Sequence, residues 1–164
     1  HVNAVTRHLE SMMRRAALPS NGLAQEEAFT FEEVSTARAG KLNGLTFTLP
    51  AGDRLMQWDG HPAPFAEATL GIDREQGLML YWRSALEEEQ DEWRETSVTP
   101  FITALRYVYY DEDTERWSEE SAPKRNREGL WRVPERVILE FKHGEQETER
   151  TITLPLVLRG QPIL

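Results

Sequence analysis

The C-terminal third of the chain, from Phe101 to Leu156, carries the alternating pattern of half-buried β-strands. Apolar side chains occupy every second position of two of its segments: Val137, Leu139, Phe141, Ile152, Leu154 and Leu156. A period of two places these side chains on one face of a strand, which has to be covered by a core. The turn residues 111–115 and Gly144 separate the segments. The rest of the chain has to supply the layer against which this face packs.

Residues 1–17 have a helical period instead. Their apolar positions are three or four apart and form one stripe: Val2, Val5, Leu9, Met12, Met13 and Ala16. Arg14 and Arg15 fall in the last turn, where cations complement the helix dipole. Pro19 and Gly22 are predicted to end the helix. Because no capping residue precedes it, we expect the visible helix to be the truncated end of a longer one.

Four further strands are predicted in the middle of the chain, at residues 28–33, 45–49, 66–72 and 78–82. The last two are predicted to form a hairpin around the turn at 73–77. Residues 53–57 are expected to pair back on the strand at 45–49. The segments at 35–43, 58–64 and 118–128 are interpreted as connections because they are polar or rich in Gly and Pro.

One helix followed by about seven short strands with hairpin spacing predicts an α+β fold, in which the helix packs on antiparallel β-sheet. The length of 164 residues suits a single domain. We therefore expect one domain over 1–164, made of a helix at 1–17 and a β-rich region at 28–157.

The charge and the absence of cysteine exclude several classes of function. The net charge of −9 argues against nucleic acid, whose affinity depends on neutralising phosphates with Lys and Arg. An anionic membrane surface is disfavoured for the same reason. Without cysteine the chain has no disulfide, thiolate zinc site or Cys nucleophile.

No catalytic motif is visible, and the four His lack the spacing of metal ligands, so we predict no catalytic residue, metal site or cofactor. Asp111 and Asp113 lie in an acidic turn that resembles a calcium loop only in its alternate acids. We interpret this turn as a solvated hairpin connection, and cation binding there stays open.

The same region of the sequence contains a cluster of aromatic residues: Tyr107, Tyr109, Tyr110, Trp117 and Trp131. Such side chains are common interface anchors.

The order of these motifs resembles the minor pseudopilins of type II secretion systems, and most closely the J class. The resemblance rests on Tyr109-Tyr110-Asp111 before Trp117, on Val133-Pro134-Glu135-Arg136-Val137, and on the segment from Arg150 to Leu154-Pro155. It covers residues 100–157 well and the N-terminal helix generically, while Val133 stands where the family usually has Leu.

The resemblance implies a pilin-like fold and a non-enzymatic structural subunit near the tip of a secretion pseudopilus. The expected location is the periplasmic face of the inner membrane, with an N-terminal anchor preceding the helix. The expected partners are pseudopilins of the I and K classes. The helix stripe would then contact its own sheet and neighbouring helices through Val2, Val5, Leu9 and Met12. Two alternatives stay open: a periplasmic or extracellular ligand-binding domain, and a hydrolase with paired carboxylates.

Overall fold

The computed structural model describes residues 1–17, 28–36, 40–88 and 92–155. Within them the chain forms one helix and eleven strands. In order these are α1 (Val2–Ala17), β1 (Phe29–Thr36), β2 (Gly40–Leu49), β3 (Gln57–Trp58), β4 (His61–Pro62), β5 (Ala66–Asp73), β6 (Gly77–Ser84), β7 (Arg94–Thr99), β8 (Ile102–Asp111), β9 (Arg116–Glu120), β10 (Arg136–His143) and β11 (Gln146–Thr153). The predicted α+β class is confirmed.

The strands form two main antiparallel sheets and one short hairpin. The five-stranded sheet has the order β1-β2-β5-β6-β7, and the four-stranded sheet has the order β11-β10-β8-β9. The hairpin predicted over residues 66–82 is confirmed as β5–β6, closed by the pair Asp73 and Gly77. The turn at Gly144 is also confirmed, because β10 and β11 pair across it and the glycine has a φ of 61°.

The predicted number of about seven strands is wrong, because four of the eleven strands were missed. β3 and β4 have only two residues each, and β7 and β9 are edge strands with mainly polar sequences. Edge strands take their pairing from a neighbour's backbone and need no apolar alternation. Residues 53–57 do not pair with β2, since β2 lies between β1 and β5.

The helix packs against both sheets and completes the main apolar core. α1 packs against β2 of the first sheet and β11 of the second, and β8 contacts β5 and β6. The largest side chains in this core that are almost fully buried come from α1, from both sheets and from the loop after β2: Leu9, Met12, Met13, Leu45, Leu49, Met56, Leu70, Leu78, Leu80, Ile102 and Tyr109. The alternating strand faces and the helical stripe therefore cover each other.

Two sequence predictions lie outside the described residues. They concern the helix stop at Pro19 and Gly22 and the apolar position Leu156. Among the described residues no helix combines the length and the apolar character needed to cross a bilayer.

Candidate assembly surface

The apolar stripe of α1 faces this chain's own sheets. Leu9 and Met12 are 0% exposed and Val5 is 9% exposed, whereas Val2 is half-buried at the start of the helix. In the folded domain a partner therefore reaches only Val2 of the four residues predicted to form an interface. The free side of the helix is the opposite one.

The opposite side of α1 carries a basic stripe, which we define as Asn3, Ala4, Arg7 and Arg14. All four residues are exposed, and their spacing of three, four and seven places them on one face. Within the described part of the chain neither Arg7 nor Arg14 forms an ion pair. The helix contains three arginines and one glutamate, in a chain whose net charge is −9. The basic stripe is thus a positively charged surface on a protein whose net charge is negative.

Asp53, in the loop after β2, contacts two side chains of α1 and so holds the helix against this loop. Its carboxylate accepts hydrogen bonds from Arg15 and from the backbone N–H of Leu55 at 3.0 Å, and it contacts His8 Nε2 at 3.1 Å. Arg15 also donates to the carbonyl oxygen of Gly52 at 3.1 Å. The Asp53 side chain is only 3% exposed, so its charge depends on these partners. Sequence reasoning missed this residue because its helix partners are about 40 positions away.

The partners of Asp53 decide its pKa. Burial by itself raises the pKa of this carboxyl. The hydrogen bonds from Arg15 and Leu55 and the charges of His8 and Arg15 together lower the pKa by more than burial raises it, so it lies below the ordinary value. A lowered folded-state pKa contributes stability that is complete above the unfolded-state pKa of about 3.9 and is lost as the pH falls through the folded-state value.

We expect Asp53→Asn to lower the free energy of unfolding at pH 7 by about 1–3 kcal/mol, because the amide keeps the shape but loses the charge-assisted hydrogen bonds. The difference from the wild type should shrink as the pH falls below about 4. Urea unfolding followed by circular dichroism between pH 7 and the lowest pH at which both proteins fold measures it. A difference that stays constant over this range contradicts a charged Asp53.

The aromatic cluster is divided between two faces of β8. Tyr107 and Tyr109 point into the core, where burial and the charge of Tyr109 raise the pKa of Tyr107 to about 12. Tyr110 and Trp117 lie together on the outward face, with ring centroids 5.0 Å apart, and Trp117 is 50% exposed. Arg136 covers the Trp117 ring at 4.3 Å. The predicted cluster therefore does not line one groove.

The acidic turn between β8 and β9 has the local structure predicted for it. Asp111 accepts the backbone N–H of Thr114 at 3.1 Å, and Glu115 adopts a φ of 53°. Asp113 lies 3.7 Å from Arg127 at the surface. In the residues that the structure describes, no group of three or more His, Asp or Glu side chains is placed to hold a metal ion.

Two carboxyl groups meet on the outward face of the five-stranded sheet. Burial, followed by the charge and hydrogen bond of Glu67, raises the pKa of Glu32, while Arg83 lowers it. Arg83 donates to Glu67 at 2.9 Å. The adjoining cleft has a volume of about 130 Å³. About four water molecules occupy this volume in liquid water. Glu32 and Glu67 are a pair of neighbouring carboxyl groups of the kind that the hydrolase hypothesis requires.

A larger cleft of about 770 Å³ lies beside the start of α1, where Val2 and Phe101 form apolar walls. His1 contacts Thr99 Oγ1 at 2.8 Å and meets the edge of Phe101, which in turn meets His143. This cleft is a concave surface of the kind that the ligand-binding hypothesis requires.

Comparison with known proteins assigns no function to this chain, which leaves its molecular surface as the basis for a functional proposal. No protein-family model matches the chain, and no curated protein sequence matches it.

Proposed function

We propose that this chain is a non-enzymatic, pilin-like structural subunit of a secretion pseudopilus, which assembles with other minor pseudopilins through its N-terminal helix. The observation that carries the proposal is the two-sided helix. One side of α1 closes the core of an antiparallel β domain, and the other presents Arg7 and Arg14 to solvent in an acidic chain. A helix that is held rigidly by its own domain and exposes an ordered charged face is suited to docking on other subunits.

The residues that carry the resemblance support this proposal because they have structural roles in the four-stranded sheet. The Tyr110 N–H donates to the Glu135 carboxylate at 2.9 Å, and the Glu135 N–H donates to the Val108 carbonyl at 2.9 Å. The Glu135 carbonyl accepts the N–H of Leu154 at 2.9 Å. The motif around Pro134 and Glu135 thus connects β8 to the strand pair β10–β11. Motifs of this kind specify a scaffold rather than a reaction.

In the proposed setting the domain lies at the periplasmic face of the inner membrane, with an N-terminal anchor that precedes the helix. Its partners are pseudopilins of the I and K classes. Charge complementarity gives such contacts their register and their rate of association, so the basic stripe would select acidic surfaces on these partners.

The double variant Arg7→Glu/Arg14→Glu tests the proposal. We expect it to weaken co-purification with the I-class and K-class partners by about tenfold or more, because like charges brought together across an interface cost several kcal/mol. Affinity measured by biolayer interferometry quantifies the loss. The matched control is Arg74→Glu/Arg127→Glu, which changes the net charge equally at exposed positions away from the helix and should bind as the wild type does.

Equal affinities for the two double variants would contradict the role of the basic stripe. If the wild-type chain bound neither class of partner, the pseudopilin proposal itself would be wrong. Ligand binding in the cleft between Val2 and Phe101 would then become the leading hypothesis.

A further inference from the structure

Three large apolar side chains are exposed away from the basic stripe: two at one end of the five-stranded sheet and one on the β3–β4 hairpin that precedes β5 in the chain. Trp58 is 39% exposed, Phe65 is 44% exposed and Leu86 is 59% exposed. Phe65 and Leu86 lie in turns and Trp58 ends β3. None of the three is part of the buried core. We call these three residues the aromatic corner.

Hydrogen bonds bring the turns that carry Phe65 and Leu86 together. The carbonyl of Phe65 accepts the N–H of Ala85 at 3.1 Å, and the Ser84 hydroxyl donates to the Pro64 carbonyl at 2.7 Å. These bonds place Phe65 beside the turn that carries Leu86. Trp58 precedes the tip of the β3–β4 hairpin, whose Asp59 acts electrostatically on Arg94.

Phe65 adopts a backbone conformation that does not favour a phenylalanine. Its φ is 47°, in the left-handed region that glycine adopts without strain. Its N–H donates to the Pro50 carbonyl at 2.9 Å, so the conformation is held from both sides of the residue. Almost half of the residue stays exposed in this conformation, at 44%. A strained residue that keeps this much aromatic surface in solvent points to a contact outside the domain.

The rim of the aromatic corner is acidic. Arg94 is paired with Glu87 at 2.7 Å, and the charges of Glu92 and Asp59 also act on this guanidinium. Glu88 is exposed next to Glu87. Three carboxylates therefore act on one arginine, and Glu88 adds a fourth beside Glu87. Aromatic rings bordered by carboxylates recognise guanidinium groups, through the ring faces and through ion pairs.

We propose that the aromatic corner of one copy of this chain binds the basic stripe of a second copy. The chain carries both halves of the contact: Arg7 and Arg14 are exposed and without ion pairs in the described residues, and they lie about 10 Å apart along the helix axis, at about 1.5 Å per residue. This proposal and the proposed function have only the basic stripe in common. Self-association requires no pseudopilin of the I or K class.

Sedimentation of the purified chain, from micromolar to millimolar concentration, tests the contact. We expect self-association at about 0.01 M salt, where the Debye length is about 30 Å, and its loss at about 1 M salt, where that length is about 3 Å. A chain that stays monomeric over the whole range at low salt overturns the proposal. Binding of I-class and K-class partners by the same preparation would leave the proposed function standing.

Phe65→Gly separates a binding role from a structural one. Because glycine relieves the strained φ and offsets part of the lost ring burial, this variant should stay folded while its self-association weakens by about tenfold or more. Leu86→Ser, at an exposed position without this strain, should weaken it in the same direction. Unchanged self-association in both variants would overturn the proposal.

A charge exchange tests which surfaces meet. Arg7→Glu/Arg14→Glu places acids opposite the acidic rim, and Glu88→Lys/Glu92→Lys places lysines opposite the basic stripe, so each double variant alone should stay monomeric. An equimolar mixture should associate again, because every contact between the two variants then joins opposite charges. A mixture that stays monomeric overturns the assignment of the two surfaces.

Discussion

Leu9→Arg is expected to unfold the domain. Leu9 is 0% exposed and lies in the core formed by α1 and the two sheets. Removing a buried leucine side chain costs about 3–5 kcal/mol, and a cation in its place adds the cost of a buried, unpaired charge. The sum is comparable to the total stability of about 5–15 kcal/mol that domains possess. Far-UV circular dichroism and urea unfolding should show a chain that is unfolded or close to it at 25 °C.

The matched control for this prediction is Ala4→Arg in the basic stripe. Ala4 is exposed on the same helix, and arginine has nearly the helix propensity of alanine. We expect its free energy of unfolding to stay within about 0.5 kcal/mol of the wild type. A folded Leu9→Arg protein of near-normal stability would show that the apolar stripe does not close the core.

Gly52→Ala should have the second-largest effect, by displacing the loop that holds the helix. Gly52 has a φ of 67°, and an added Cβ would lie 2.2 Å from the carbonyl oxygen of Ala63. Because the obstacle is backbone, the loop has to move, and the hydrogen bond from Arg15 to the Gly52 carbonyl is lost with it. The contacts of the neighbouring Asp53 with Arg15 are also disturbed. We expect a loss of about 3–5 kcal/mol in the free energy of unfolding.

Gly60→Ala separates the clash from backbone strain. Gly60 has a φ of 80°, and no atom lies within 4 Å of an added Cβ. Its substitution should therefore cost only about 1–2 kcal/mol for the left-handed conformation. Thermal and urea unfolding of the two variants should differ clearly. Equal losses would mean that the close approach of Gly52 to Ala63 does not determine the position of the loop.

The elements with a strong local period could be predicted from their own residues. The stripe through Leu9 and Met12 predicted α1, and the alternation through Val137 and Leu139 predicted β10, because burial on one face leaves a period of 3.6 or 2 in the sequence. The turn at Asp111 was equally local, since its carboxylate binds the backbone N–H of Thr114 only three positions ahead.

β7 and β9 could not be predicted in this way, because their residues do not alternate. They are strands because β6 and β8 offer free backbone groups beside them. Asp53 and Phe65 belong to the same category. The first is fixed by His8 and Arg15 of the distant helix, and the second holds a left-handed conformation only because the backbones of Pro50 and Ala85 bind it from both sides.

The amino-acid order alone specified the helix, the main strands and the α+β class, because each of these leaves its period in neighbouring positions. Folding in three dimensions decided which side of the helix faces solvent. Both sheets cover Leu9 and Met12, so Arg7 and Arg14 remain outside. It also brought the turns of Phe65 and Leu86 together at one end of the five-stranded sheet. No local pattern encodes these surfaces, since each depends on contacts between segments far apart along the chain.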